Sequence, residues 1–380
     1  MRRRKRARGV CGVREHPGES ASRMSVLLLL LVLTLMSQST SSNITVTCPT
    51  RCTCHLEFKF TSCANANLTD LPSIIPPYME HLDLSFNHLV FIRNQAFQDV
   101  RRLHTLLLND NRISNLSDGA FKPLEFLLRL DLSRNRISVL SVGFSLGLIS
   151  LRELSLGENQ LSNLNEHDFS HLDAIWKLDL CHNSISHIHV KAFSSLRTLR
   201  RMYLDHNKIS TLKKRVFSMT RNLEELGLSN NKLHHLEVGI FSPLMNLALL
   251  NLTYNNLTQV EFKAFLSLDT RSTHIHLYRN PWTCDCDLQR VFRKVHSVHR
   301  LQLDDYSNLS CYLPEELRGY LLQDVDNELC FAETVTVLII TITVMITVIA
   351  AIIMAEKKKK KTNKGKHWTE ASEISCESQN

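Results

Sequence analysis

Cysteines are the residues of this 380-residue chain whose spacing points most directly to chemistry. Two groups of four stand at the ends of a long repetitive region: Cys48, Cys52, Cys54 and Cys63, and then Cys284, Cys286, Cys311 and Cys330. Four cysteines form two disulfides in any of three pairings, or hold a zinc ion as thiolates. The C-x3-C-x-C spacing of the first group, in a chain with secretory features, favours disulfides over zinc.

Catalytic and cofactor-binding motifs are not found in the sequence. It has no nucleophile elbow, phosphate loop, metalloprotease helix or dinucleotide fingerprint, so we expect neither an enzyme nor a bound cofactor. The 18 histidines suggest a metal site, above all His187 with His189 and His234 with His235. Both pairs follow the turn of a repeat, where solvated surface positions are expected, so no metal site is predicted.

The elements that position these residues follow from a repeat of asparagines. Each lies in the pattern L-x-x-L-x-L-x-x-N-x-L, which is the leucine-rich repeat signature. The pattern predicts an α/β-type solenoid, a horseshoe whose L-x-L segments form a parallel sheet on the concave side. A stack of amphipathic helices would explain neither the fixed asparagine nor the L-x-L step. The asparagines, which number coils one to nine, recur every 24 residues with one final 25-residue step: Asn87, Asn111, Asn135, Asn159, Asn183, Asn207, Asn231, Asn255 and Asn280.

Two columns of side chains are predicted to fill the interior of the solenoid. The asparagine amide turns inward and bonds backbone groups of neighbouring coils, because an unpaired buried polar group costs about 1–3 kcal/mol. A phenylalanine recurs about once per repeat behind the strands and is expected to form an aromatic back wall. Its members are Phe97, Phe121, Phe144, Phe169, Phe193, Phe217, Phe241 and Phe265.

Caps are expected at both ends, because a solenoid otherwise exposes its hydrophobic core there. The cysteine groups lie where such caps belong. We predict an N-terminal cap over 43–77, eight full repeats and a partial ninth over 78–280, and a C-terminal cap over 281–331.

Residues 1–42 are predicted to be a signal peptide. A short apolar run, 26–36, follows arginine-rich sequence and precedes the small residues SQSTSS, as expected of a cleaved leader. The basic stretch before the run is long for a signal peptide, so Met24 is an alternative start.

A transmembrane helix is predicted over 334–355, because 335–355 holds 21 uncharged residues, enough to cross a hydrocarbon core of about 30 Å. Basic residues beside a span stay in the cytoplasm, so the chain is predicted to be a single-pass type I protein of the plasma membrane. The repeats would face outward, with 356–380 as a short basic tail. Lysines beside anionic lipid contribute about 1 kcal/mol each, so the basic cluster is either a lipid contact or a topology signal alone. That cluster is Lys357, Lys358, Lys359, Lys360 and Lys361.

Charge and glycosylation motifs agree with this topology. The net charge of +8 comes largely from the leader and the juxtamembrane lysines, so it does not indicate nucleic-acid binding. All six N-x-S/T sequons precede the span, where glycosylation is possible. They are Asn43, Asn67, Asn115, Asn251, Asn256 and Asn308.

The register of the repeats predicts a binding face on the concave side, where solenoids commonly hold their partners. Residues flanking the inward leucines of coils three to six carry both signs of charge, and arginine and tyrosine are enriched at binding hot spots. A merely solvated sheet is the alternative. The candidate residues are Arg129, Asp131, Arg134, Glu153, Glu158, Lys177, Asp179, His182, Arg200, Arg201, Tyr203, Asp205 and His206.

Two further residues of the concave face refine this prediction. Asn251 lies between the inward Leu250 and Leu252, so a glycan on it would project from coil eight and obstruct docking near the C-terminal end. Cys181 occupies the same face in coil five and has no evident partner, so it is predicted to be a free thiol. An intermolecular disulfide is the alternative.

Residues 48–330 resemble the capped extracellular repeat domains of slit-type, Nogo-receptor-like, platelet glycoprotein and synaptic adhesion proteins. The resemblance implies that the first cysteine of the N-terminal group pairs with the third and the second with the fourth. It likewise implies Cys284 with Cys311 and Cys286 with Cys330. The whole layout is similar to that of the auxiliary gamma subunits of large-conductance potassium channels, although this chain has more repeats and a threonine-rich span.

Two main classes of function remain from the sequence. The first is an adhesion or receptor-like protein that binds an extracellular or membrane protein through its concave face. The second is an accessory subunit that modifies a neighbouring channel or receptor through its span and C-terminal cap. A lesser alternative, an innate immune co-receptor, rests on the repeat type alone.

Overall fold

The computed structural model describes residues 48–325 and 327–374, so the predicted signal peptide and Asn43 lie outside the described residues. Within these ranges the helices are α1 (Phe262–Leu266), α2 (Cys286–Ser297) and α3 (Asn327–Ile374). The strands, in chain order, are β1 (Thr53–His55), β2 (Phe60–Ser62), β3 (His81–Asp83), β4 (Phe91–Ile92), β5 (Thr105–Leu107), β6 (Asn115–Leu116), β7 (Arg129–Asp131), β8 (Glu153–Ser155), β9 (Asn163–Leu164), β10 (Lys177–Asp179), β11 (His187–Ile188), β12 (Arg201–Tyr203), β13 (Glu225–Gly227), β14 (Leu249–Asn251), β15 (Thr273–His276), β16 (Trp282–Thr283), β17 (Leu301–Leu303) and β18 (Cys311–Leu313).

One long sheet organises the solenoid and confirms the predicted fold class. Among the described residues it contains twelve strands, in the order β1-β2-β3-β5-β7-β8-β10-β12-β13-β14-β15-β17. β1 pairs antiparallel with β2, and every later neighbour pairs parallel. The register advances by 24 residues from β3 to β14, so equivalent residues of successive coils lie side by side.

Short strands also form four residues after the asparagine in four of the coils, among the described residues. β4 pairs with β6, and β9 pairs with β11, both parallel. In each of these strands the first residue is exposed and the second is buried. These four coils therefore present two outward surfaces, the long sheet and this shorter edge.

The asparagine ladder is present as predicted. All nine asparagines are buried. Asn159 is representative: its Nδ2 donates to the backbone oxygen of Leu132 in the preceding coil at 2.9 Å and to that of Leu156 at 3.1 Å. Its Oδ1 accepts from the backbone N–H of Ile137 at 3.0 Å. Each amide thus joins two coils, which satisfies backbone groups that the turn would otherwise leave unpaired in the core.

The predicted aromatic back wall is also confirmed. All eight phenylalanines are fully buried, with at most 1% of the residue exposed. Ring centroids of Phe169 and Phe193 lie 6.3 Å apart, and those of Phe193 and Phe217 6.4 Å apart, with nearly parallel planes. The leucines of the strands and these rings form one continuous core, which gives the sheet a rigid support.

Disulfide caps close both ends of the solenoid. Cys48 is bonded to Cys54 and Cys52 to Cys63, the pairing that the resemblance implied, so these four residues hold no thiolate for zinc. Cys284 is bonded to Cys311. Cys286 is also disulfide-bonded, and its expected partner Cys330 lies among residues whose side chains are not described.

The turn after each strand places one residue in the left-handed backbone region. It directly precedes the ladder asparagine, and its φ lies between 50° and 58° in all nine coils. None of the nine is a glycine, although most side chains disfavour this region. They are Phe86, Asp110, Arg134, Glu158, His182, His206, Asn230, Tyr254 and Arg279, which we call the turn row.

Helix α3 contains the predicted span and extends beyond it on both sides. Val335–Lys360 is long and apolar enough to cross a membrane, by length and composition. Threonine hydroxyls are accommodated within the helix. Those of Thr341, Thr343 and Thr347 each donate to the backbone oxygen three residues earlier, at 2.8 Å. These hydroxyls therefore need no second helix as a hydrogen-bond partner.

Candidate functional site

The sheet brings the predicted residues of coils three to six into two adjacent columns. Arg129, Glu153, Lys177 and Arg201 are paired side by side in the first column. Asp131, Ser155, Asp179 and Tyr203 form the second, two residues further along each strand. Neighbouring strands lie about 4.8 Å apart, so in the first column Glu153 lies close to a basic residue on each side, while Lys177 and Arg201 are neighbours of like charge. We call the two columns the sheet face.

Other predicted residues lie beside the sheet face. Arg134 and Glu158 belong to the turn row, where Arg134 lies 3.5 Å from Asp110 and 3.0 Å from Glu158. The hydrogen bond to Glu158, with the charges of both carboxylates, raises the pKa of Arg134. His182 and His206, also in the turn row, stack with ring centroids 4.0 Å apart. The single strip predicted from the sequence is therefore a sheet face with a charged ridge along one side.

A network of side chains links coils five, six and seven on the sheet face. The guanidinium of Arg201 lies over the ring of Trp176, 5.1 Å from its centroid. Arg201 Nε is 3.7 Å from Glu225 Oε1, and the Tyr203 hydroxyl donates to Glu225 Oε2 at 2.6 Å. Lys177 Nζ lies 5.9 Å from the centre of the Tyr203 ring. Each member is held by at least one other, so the network is ordered without a ligand.

The electrostatics of this network follow from its burial. Tyr203 is partly buried, and burial first, then its hydrogen bond to the Glu225 carboxylate, raises the pKa of its phenol. The phenol is therefore a proton donor across the physiological range. Arg201 Nε is buried without a hydrogen-bond partner, while the side chain as a whole is 38% exposed. Arg201 thus presents a charged, flat group already fixed on an aromatic ring, a geometry suited to a carboxylate.

Asp205 makes a further contact between coils six and seven. Its Oδ1 accepts hydrogen bonds from the backbone N–H of Ser229 at 2.9 Å and from its hydroxyl at 2.7 Å. The carboxylate occupies the space beside Gly227, where an added Cβ would lie 2.0 Å from Asp205 Oδ2. A glycine is needed at position 227 because the Asp205 side chain occupies the space that any larger side chain would require.

Cys181 lies beside Asp205 and is a free thiol, as predicted. Its Sγ is 3.6 Å from Asp205 Oδ2. Burial, reinforced by the charges of Asp179 and Asp205, raises the pKa of the thiol far above its usual value. Because the thiolate is the reactive form, we expect this cysteine to react slowly at neutral pH.

An open groove of about 650 Å³ runs along the edge of the sheet where the strands begin. Trp176 lies in its middle, between Arg152 on one side and Arg200 on the other. Arg200 pairs with Glu224 at 3.2 Å, across coils six and seven. Predicted as part of the concave strip, Arg200 instead points along this edge. The groove is continuous with the sheet face through the stacked Trp176 and Arg201.

Comparison with protein families settles what kind of protein carries this surface. The family described as leucine rich repeat matches in four overlapping segments, residues 77–137, 126–182, 175–233 and 221–281. Together they cover just over half of the chain. The chain belongs to the leucine-rich repeat family. A comparison with curated proteins gave no match.

Solved leucine-rich repeat structures share the architecture. Human 5T4, also called Wnt-activated inhibitory factor 1 or trophoblast glycoprotein, is 26% identical with a TM-score of 0.55, over 76% of this chain and 99% of its own. A chain from the octameric complex of Latrophilin 3, Unc5D and FLRT2 is 23% identical with a TM-score of 0.61, over 73% and 98%. In the Toll–Spätzle complex of Drosophila the match is 20% identical with a TM-score of 0.50, over 70% and 47%. The capped repeat domain thus shares its fold with these leucine-rich repeat proteins.

Trp176 and Glu225 were missed by the sequence analysis. Trp176 stands one residue before its strand, outside the L-x-L positions from which the face was predicted. A usable signal exists, because the residue one repeat away on either side is an arginine, Arg152 or Arg200. Glu225 lies in coil seven, one repeat beyond the predicted limit. The leucine-rich repeat of coil seven therefore belongs to the site.

The sequons of the leucine-rich repeats and their caps differ in accessibility. Asn67, Asn115, Asn256 and Asn308 are exposed. Asn251 is half-buried on the second column of the sheet face, between Gly227 and His276. Its Oδ1 accepts from the backbone N–H of Thr253 at 3.1 Å and from its hydroxyl at 2.9 Å.

Histidines and lysines considered in the sequence take exposed positions. His187, His189, His234 and His235 are all on the surface of the repeats. In the juxtamembrane cluster, 357–360 are exposed on α3, and the side chain of Lys361 is not described. The candidate site is therefore the sheet face of coils three to seven with its adjoining groove.

Proposed function

We propose that this protein is a single-pass type I membrane protein whose leucine-rich repeats lie outside the cell and bind a protein partner through the sheet face. The observation that carries the proposal is the network of Trp176, Arg201, Tyr203 and Glu225. Tryptophan, arginine and tyrosine are the residue types enriched among the residues that carry most binding energy in protein interfaces, and Glu225 contacts both Arg201 and Tyr203. Because they are already ordered by one another, little side-chain entropy would be lost on binding.

The shape of the site also supports a macromolecular partner. The sheet face is a broad surface with an open groove at its edge, whereas small ligands usually occupy enclosed pockets. Arg152 and Lys177 have no ion pair among the contacts of the described residues, and both lie next to Trp176. We infer that the partner presents acidic side chains to the Arg152, Lys177 and Arg201 side.

Related structures support the same kind of function. Leucine-rich repeat domains of similar architecture occur in complexes with other proteins, FLRT2 with Latrophilin 3 and Unc5D, and Toll with Spätzle. By analogy this chain would bind a protein as well. The six sequons would carry glycans in this arrangement, and a glycan on Asn251 would limit docking to the coils before it.

The experiment begins with proximity labelling on intact cells to identify the partner. Its affinity is then measured for the wild type and for charge reversals at Arg129, Lys177 and Arg201. We expect Arg201→Glu to weaken binding at least about 30-fold, the equivalent of a hot spot of roughly 2 kcal/mol. Arg215→Ala is the matched control, because Arg215 is exposed on the far side of coil six near Phe217. Unchanged affinity in all three charge reversals would overturn the proposed site.

An accessory role beside a channel or another receptor is the second candidate. It is supported by the short connection between cap and span, since α3 begins at Asn327 and its apolar stretch begins at Val335. Such a tether would hold the repeats close to the extracellular part of a neighbouring membrane protein. Because the described threonine hydroxyls are satisfied within the helix, recognition of the span would depend on apolar packing. Lysines 357–361 could then bind anionic lipid or the same partner.

Replacing α3 and the basic tail by a lipid anchor separates the two candidates. A receptor or adhesion protein should keep its affinity for the partner, because the sheet face is unchanged. An accessory subunit should lose its effect on the neighbouring protein. Retained binding with lost modulation would assign the span to the accessory role.

A further inference from the structure

The short edge behind the asparagines carries exposed apolar side chains at one position of the repeat, four residues after the ladder asparagine. β4 and β6 pair Phe91 with Asn115, and both side chains face outward, while Ile92 and Leu116 point into the core. Phe91 is 44% exposed. Val139, one repeat after Asn115, is 63% exposed. Asn115 therefore lies between two exposed apolar side chains, each one coil away.

The same position in later coils is polar. Asn163 and His187, which pair in β9 and β11, follow Val139 at successive repeats. Thr211, His235 and Gln259 continue the column. Exposed apolar residues in this column are thus confined to the coils on either side of Asn115. Among the described residues of this column, the sequon at Asn115 thus lies between the only two exposed apolar side chains, Phe91 and Val139.

We propose that Asn115 carries an N-linked glycan whose first sugar covers Phe91 and Val139. Asn115-Leu116-Ser117 is a sequon with an exposed acceptor amide. The C–H face of an N-acetylglucosamine ring is apolar and packs on aromatic and aliphatic side chains, while its hydroxyls remain in water. Strands lie about 4.8 Å apart, so a sugar attached to Asn115 is within reach of both neighbours.

The covalent link makes this occupant favourable. A tethered sugar contacts Phe91 and Val139 without the loss of translational freedom that a separate partner would incur. It also replaces exposed apolar surface by a bulky hydrated group. The inference depends on the proposed extracellular placement of the repeats, because glycosylation takes place in the secretory pathway.

Occupancy is the first measurement, made on full-length protein from mammalian cells. Glycopeptide mass spectrometry should find Asn115 modified. An unmodified Asn115 beside glycosylated Asn256 and Asn308 would overturn the inference and leave the topology intact. Sugars at none of the sequons would overturn the proposed topology itself.

Coverage is tested by a double-mutant cycle in lipid nanodiscs. Ser117→Ala removes the sequon and should lower the unfolding midpoint by about 2–4 °C. In a Phe91→Ser background the same change should have at most half that effect, because the sugar no longer has an aromatic surface to cover. Thr258→Ala, which removes the sequon of the exposed Asn256, is the matched control and should act equally in both backgrounds.

Hydroxyl-radical footprinting gives a second readout that does not depend on the variants. Protein from cells that make only high-mannose glycans is trimmed to a single sugar or deglycosylated completely. Oxidation of Phe91 should stay low with one sugar and rise at least about twofold when that sugar is removed. Equal oxidation in both samples, together with an additive double-mutant cycle, would show that the sugar does not cover Phe91 and Val139.

Discussion

In the interior of this protein one coil closely resembles the next, whereas on the sheet face each coil differs from its neighbours. Leu130, Leu154 and Leu178 are all buried at equivalent strand positions. The residues just before them, Arg129, Glu153 and Lys177, differ in charge or size and face outward. Inward positions must fit an interface shared by every pair of coils, while outward positions have no such common neighbour. Repetition within the chain therefore marks packing, and variation marks surface open to recognition.

Disrupting the interior should have the largest effect. Asn159→Ala leaves the N–H of Ile137 and the carbonyl of Leu132 without their amide partner. We expect the free energy of unfolding to fall by about 2–6 kcal/mol, since each buried unpaired group costs about 1–3 kcal/mol. Urea denaturation followed by circular dichroism measures it. Asn163→Ala is the control in the same coil, because Asn163 is exposed; a similar loss there would contradict the comparison.

A smaller loss of stability is expected from disrupting the contact of Asp205 with coil seven, which lies on the sheet face. Gly227→Ala places a Cβ against the Asp205 carboxylate and should break its hydrogen bonds to Ser229. The expected loss of stability is about 1–2 kcal/mol, the range for hydrogen bonds to a charged group offset by the gain of alanine over glycine in a strand. In an Asp205→Ala background the substitution should cost nothing. An equal cost in both backgrounds would show that Asp205 is not the reason for the glycine.

The smallest effect concerns reactivity and leaves stability unchanged. Because burial raises the pKa of Cys181, little of its thiol is ionised at pH 8. Alkylation of Cys181 by iodoacetamide should be at least about tenfold slower in the folded protein than in urea, since each unit of pKa changes the thiolate fraction about tenfold. Mass spectrometry of the peptide that contains Cys181 measures both rates. Similar rates in the two states would show that burial does not suppress the reactivity of Cys181.

The sequence predicted most of the fold because the same strand and turn pattern occurs in it nine times. The spacing of the asparagines determined the register of the strands, and the register determined which residues of the sheet face are neighbours. Even the pairing of Arg129 with Glu153 follows from a separation of 24 residues. In a solenoid the contacts between distant residues can be predicted from the repeat length, since each coil contacts only the coils beside it.

Contacts that depend on side-chain conformation were not predictable in the same way. The stacking of Arg201 on Trp176 joins residues of adjacent coils that are offset by one position, and several rotamers of each would satisfy the repeat. The carboxylate of Asp205 in coil six occupies the space that a side chain at position 227 in coil seven would take. The sequence of either coil alone does not show this contact. The candidate site was therefore located by the sequence, while the members that hold it together came from the structure.

The backbone conformation of the turn row bears on the thermal stability of this protein. Phe86 and Tyr254 adopt left-handed backbone conformations that glycine or asparagine accepts more readily. Each ladder asparagine nonetheless requires that geometry beside it. Replacing Phe86 or Tyr254 by asparagine or glycine should therefore raise the melting temperature of the solenoid, because the new side chain accepts this backbone conformation and no contact in the core changes.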